Sequence, residues 1–87
     1  MKIKKEVVVR SVAGEHMLVP TGEAVLDFNG LFVLSESGKL LWDLIASGAE
    51  QEELVSALIN EYGIDRQTAQ DDTDEFVQKL CDIGIIE

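Results

Sequence analysis

Apolar and polar positions fall into short extended stretches over the first third of the chain, then recur at helical spacing. Val7, Val8, Val9 and Val12 are β-branched residues suited to a pleated, half-buried setting, and they predict a strand over residues 6–13. Ala13-Gly14-Glu15 predicts a tight turn, with Gly14 free to take φ > 0. The chain then returns as a second strand from His16 to Val19, with Met17 and Val19 on one face. Pro20-Thr21-Gly22 breaks it. Glu23 to Asp27 has no decisive pattern and reads at most as a short extended piece. Asn29-Gly30 is a second turn signal, and it introduces a third strand from Leu31 to Leu34.

Leu40, Leu41, Trp42, Leu44, Ile45 and Ala46 then place six apolar residues in seven positions. A helix apolar almost all round is expected to be central and buried. Ser35 can cap it, because its hydroxyl can accept from a free N–H in the first turn, and Gly48 can stop it. From Ala49 to Tyr62 the spacing of Leu54, Val55, Leu58, Ile59 and Tyr62 predicts a second helix. Glu50, Glu52 and Glu53 suit its positive N-terminal end, and Gly63 suits its C′ position. Asp65 caps a third helix from Arg66 to about Ile83. Its buried side uses Ala69, Thr73, Phe76, Val77 and Leu80, and Gly84 ends it. Ile85 and Ile86 form an apolar tail expected to pack back onto the core.

Three strands followed by three helices predict an α+β fold: a three-stranded antiparallel sheet covered by helices. The last two helices, joined by Gly63-Ile64-Asp65, have the arrangement of a helix-turn-helix. A length of 87 residues gives room for one domain, 1–87, with a modest core. A hydrophobic fraction of 46% fits a folded chain and excludes a disordered one. No apolar run approaches the ~20 residues of a membrane span. Lys2, Lys4 and Lys5 resemble the start of a signal peptide. Arg10 interrupts the valines behind them, so no apolar segment follows and a cytoplasmic protein is expected.

Charge narrows the partners. Seven basic residues against seventeen acidic ones give a net charge of −10. Lys2, Lys4, Lys5 and Arg10 stand in the first ten positions, leaving Lys39, Arg66 and Lys79 against sixteen acids. A phosphate backbone needs clustered bases, so nucleic acid and acidic substrates are disfavoured as partners, while a basic or mainly apolar partner fits.

Little points to catalysis. His16, the sole histidine, is on a strand with no nucleophile nearby in sequence. General-base and metal-ligand work needs partners at fixed geometry, so His16 reads as a half-exposed strand residue. Cys81 is followed by Asp82, whereas a reactive thiolate needs an electropositive setting; it reads as core filler. Asp71, Asp72, Asp74 and Glu75 form an acidic run, but consecutive helical residues fan around the axis and do not converge on a cation. They read as a solvated face, or as a surface attracting a basic or polar peptide. With no glycine-rich phosphate loop, Ser/His/Asp set or zinc spacing, no enzyme activity, metal or cofactor is expected.

The stretch Phe32-Val33-Leu34-Ser35-Glu36-Ser37-Gly38-Lys39-Leu40-Leu41-Trp42-Asp43-Leu44-Ile45 resembles a family signature. It is similar to the aromatic-x-Leu-Asn-x-Thr-(Gly/Ala)-x-x-(Ile/Leu)-Trp-x-Leu-(Leu/Ile) pattern of PqqD-like proteins. Gly48, Glu53-Leu54-Val55, Tyr62, Phe76-Val77, Leu80 and Gly84-Ile85-Ile86 continue the likeness. Ser35 and Ser37 stand where Asn and Thr are commoner. The resemblance implies a winged helix-turn-helix acting as a stand-alone recognition element for ribosomally made precursor peptides. In that family the precursor's leader adds as a fourth strand beside strand three, in the groove against helix three. It is thereby presented to a modifying enzyme, commonly a radical SAM protein.

The resemblance places the peptide at Leu31, Phe32, Val33 and Leu34, where an edge strand has unpaired N–H and C=O groups. Alternation turns Phe32 and Leu34 toward the helices and Leu31 and Val33 away. On the third helix Asp72, Glu75, Phe76 and Lys79 recur at three- and four-residue spacing, so they share one side, which is expected to form the facing wall, with Phe76 read either there or as core. Two other readings compete. A winged-helix DNA-binding regulator would present residues 65–82, whose two bases and six acids have the wrong sign for a groove. An oligomerisation subunit, such as a homodimer, would pair the same edge with a second copy.

Overall fold

The computed structural model describes residues 1–21 and 32–87. Strands β1 (Val7–Val12), β2 (Glu15–Pro20) and β3 (Phe32–Leu34) form one antiparallel sheet in the order β1-β2-β3. Helices α1 (Glu36–Ala46), α2 (Gln51–Tyr62) and α3 (Arg66–Asp82) follow. The fold is therefore α+β, as the segregated pattern predicts. The Leu31 end of the third strand, the Asn29-Gly30 turn and Glu23 to Asp27 lie outside the described residues.

Val12 faces Glu15 across β1 and β2, so Ala13 and Gly14 form a two-residue loop. Both have positive φ, 52° and 82°, the requirement of the turn that matches strand twist. Pro20 is the last residue of β2, opposite Val7, so the strand runs one residue into the expected breaker. Proline at a strand end gives up a donor where the ladder is already finishing.

Side-chain alternation divides the sheet. Leu18 pairs with Val9 on one side and Phe32 on the other, and all three face the helices. Met17 and Val19 share the opposite face, with Val33 beside Met17. Leu34 is 4% exposed and Val33 61%, so the expected alternation in β3 holds.

The Ser35 hydroxyl accepts from the Gly38 N–H at 3.1 Å and caps α1. Leu41, Trp42 and Ile45 from this helix enter the core, with Leu40 and Leu44 packed against it. Helix α2 starts at Gln51, two residues after the expected Ala49, with Glu50 in the N-cap position. The Glu53 carboxylate accepts from the Glu50 N–H at 3.1 Å. Gly63, with φ 65°, closes α2 in the left-handed conformation. Asp65 caps α3, accepting from the Thr68 N–H at 3.4 Å and from the Thr68 hydroxyl at 2.5 Å. That hydroxyl holds the Asp65 carboxyl below the usual carboxylate range.

Ala69, Thr73 and Leu80 form the buried stripe of α3, while Phe76 and Val77 are half-buried at its margin. Ile85 and Ile86 return into the core. They are held there by the N-terminal segment: Ile3 bridges Ile86, and the Lys4 N–H donates to the Ile85 carbonyl at 2.7 Å.

Candidate functional site

Strand β3 is hydrogen-bonded to β2 on one side. Among the described residues no strand borders its other side. In any strand, backbone N–H and C=O groups point alternately to the two edges, so β3 presents along this edge groups with no strand partner among the described residues. This edge looks into a groove of about 360 Å³ between β3 and α3. The sheet supplies Phe32, Val33 and Leu34, and α3 supplies Asp72, Glu75, Phe76 and Lys79. Seven of the eight residues anticipated from the sequence thus line one groove; Leu31 is outside the described residues.

The two walls meet through their aromatic rings. Phe32 and Phe76 stand edge to face, with centroids 6.2 Å apart and planes at 70°. Such a pair adds about 0.5–1.5 kcal/mol to simple burial, so it holds β3 and α3 at a set spacing. Gly38 makes that spacing feasible. A Cβ there would come 3.3 Å from Phe76 Cε1 and 3.5 Å from Leu34 Cδ2.

Sequence reasoning did not assign five of the lining residues to the site. Ser35, Ser37 and Gly38 come from the start of α1, Leu41 from its core face and Leu58 from α2. Gly38 left a signal, since glycine inside a helix costs about 1 kcal/mol relative to alanine and often marks a close approach. Leu41 and Leu58 left none beyond ordinary core periodicity.

Charge sits on the α3 wall. Lys79 Nζ lies 3.1 Å from Glu75 Oε1, both side chains being largely exposed, so the pair contributes little stability. Of the other carboxylates of the acidic run, Asp71 accepts from Gln67 and Asp74 from Gln70 and Gln51, while Asp72 has no partner among the described residues. Among the described residues no three His, Cys, Asp or Glu side chains are grouped to hold a metal ion. No described helix is long and apolar enough to cross a membrane.

His16 is half-buried on β2, with its Nδ1 2.7 Å from the Ser11 hydroxyl oxygen, and Cys81 packs half-buried against the core. Neither lines the groove. The Ser35 and Ser37 hydroxyls lie 3.1 Å apart, and Ser35 is engaged as the cap of α1. The groove therefore offers backbone hydrogen-bonding groups, an apolar floor and a charged rim. That combination suits an extended peptide.

Fold and groove together define a winged-helix-like α+β protein with an open strand edge above a helical wall. The sequence profile of coenzyme PQQ synthesis protein D (PqqD) matches residues 15–86. This chain belongs to the PqqD family. The solved structure of TbiB1 in complex with the TbiA(beta) leader peptide matches with a TM-score of 0.80 and 30% sequence identity. The match covers 100% of this chain and 95% of that one. Among functionally curated proteins, none matches.

Proposed function

We propose that this protein is a non-catalytic adaptor for a ribosomally made precursor peptide. It captures the leader as a strand added to the open edge of β3, in the groove walled by α3, and presents it to a modifying enzyme of the radical SAM type. The observation that carries this reading is the juxtaposition of a strand edge unpaired among the described residues with a groove of apolar floor and charged rim. The leader peptide in the TbiB1 structure supports the same class of ligand. Backbone bonds along Phe32–Leu34 supply affinity, while inward side chains meet Phe76, Leu41 and Leu58 and supply selection. The protein acts in the cytoplasm, where the precursor is synthesised, and itself performs no bond chemistry.

A winged-helix regulator would place α3 in a DNA groove, and the acidic surface of α3 opposes that. Pairing of β3 with a second copy would occupy the same edge and would compete with the leader.

The test is a fluorescence titration of a synthetic leader, taken from a precursor encoded beside this protein, with and without the enzyme encoded there. Saturable binding is expected. An N-methyl scan of that leader then reads the mode of contact, because a strand directs every second N–H to its neighbour. Affinity is expected to fall at alternate positions and to hold between them. Absence of binding in both conditions removes the adaptor reading; binding without the period of two removes strand addition.

A further inference from the structure

Along α3 the groove-lining residues follow the helical repeat: Asp72, then Glu75 and Phe76, then Lys79. Asp72 and Phe76 are one turn apart, about 6 Å along the helix axis. Inward side chains of an extended strand recur every two residues, about 6.7 Å apart. A strand added to β3 whose axis follows that of α3 sets consecutive inward side chains against consecutive turns of the helix.

The charged residues of this wall are not equivalent. Glu75 and Lys79 neutralise one another. Asp72 makes no hydrogen bond or ion pair among the described residues, although Asp71 and Asp74 on either side are engaged with glutamines. Asp72 is thus the groove's one lining carboxylate without a protein partner among those residues. One turn on, Phe76 stands with Phe32, Leu41 and Leu58 around the apolar floor. The one-turn rise from Asp72 to Phe76 is close to the two-residue repeat of a strand.

Resting on the strand-addition reading above, we infer that the groove selects leaders by a charged register. A Lys or Arg stands two residues from a large apolar residue on the face turned to α3, the base against Asp72 and the apolar side chain against Phe76. The protein's net charge of −10 draws such a segment in before contact. A second copy of β3 is a poor occupant by this rule, because Leu31-Phe32-Val33-Leu34 contains no base.

The experiment is a display selection of random 12-residue peptides against the intact protein and against Asp72→Lys, with the oligomeric state of each measured by light scattering. The enriched consensus peptide, and its Lys→Glu counterpart, are then titrated by fluorescence anisotropy. Wild type is expected to enrich Lys or Arg two positions from Leu, Ile, Phe or Tyr, and Asp72→Lys to enrich Asp or Glu there. Asp72→Asn is expected to weaken the basic peptide about threefold and Asp72→Lys about tenfold at low salt, the differences shrinking as salt rises. Asp72 is exposed, so both variants are expected to fold, as circular dichroism would verify.

Enriched peptides with no charge bias, or with a bias unchanged by Asp72→Lys, overturn the charged register and leave strand addition standing. No enrichment from a monomeric protein overturns the peptide-binding reading itself, and no enrichment from a dimer assigns the edge to a second copy.

Discussion

The edge-to-face contact of Phe32 and Phe76 spans the groove and permits a quantitative test of how its two walls are held. With centroids 6.2 Å apart and an interplanar angle of 70°, the pair is expected to contribute about 1 kcal/mol beyond the area each ring buries. Both rings are half-buried, so Phe32→Leu and Phe76→Leu each lose that coupling plus modest packing, about 1–2 kcal/mol apiece. The double variant loses the coupling once, so it should be destabilised by about 1 kcal/mol less than the sum of the singles. Urea denaturation reads this cycle, with the single tryptophan, Trp42, 4% exposed, as an internal fluorescent reporter. In a chain of this length each kcal/mol also moves the melting temperature by about 4–8 °C. Additivity within about 0.5 kcal/mol at constant m-value would show that the rings do not couple. The groove's spacing would then have to come from α1 and α2 alone.

Other substitutions probe the same frame. Gly38→Ala should change stability by less than about 1 kcal/mol, because the helix gains propensity while Phe76 and the Ser35 hydroxyl, each 3.3 Å from the new Cβ, yield a few tenths of an ångström. Gly38→Val should cost about 2 kcal/mol by overpacking the same contact; equal denaturation curves for the two variants would show that the Phe76 ring is not in the way. The Thr73 hydroxyl is buried with no hydrogen-bond partner among the described residues, so Thr73→Val should stabilise by about 1 kcal/mol. A loss of that size in a thermal melt would instead reveal a bonded hydroxyl. Asp65 has a folded-state carboxyl pKa lowered by the Thr68 hydroxyl, so its contribution is fully present above the unfolded value of about 3.9. It is lost as pH falls through the lowered folded value. The difference in melting temperature between wild type and Asp65→Ala should therefore be constant near neutrality and shrink in acid. A gap that widens toward pH 3 would contradict this linkage.

How much of this was readable in the sequence depends on the range of each signal. The caps at Ser35 and Asp65, the stop at Gly63 and the Ala13-Gly14 turn act within four residues of themselves. They are found where the local chemistry puts them. The walls of the groove were readable too, because strand alternation at Phe32–Leu34 and helical spacing from Asp72 to Lys79 are local periodicities. The start of α2 falls at Gln51 because Glu50 is held in the extended N-cap conformation with its N–H bound by the Glu53 carboxylate, a detail the apolar stripe from Leu54 does not record.

The sequence by itself thus determined the elements, their order, and the faces that meet across the groove. Tertiary structure decided the floor, where the start of α1 and Leu58 from α2 arrive from positions with no mutual sequence spacing. It also decided that Lys2 to Lys4 clasp Ile85 to Glu87, a pairing between the two ends of the chain. Caps and periodicities act between neighbours along the chain. A floor or a clasp exists only after packing has brought distant residues within contact distance, and no local signal records that distance.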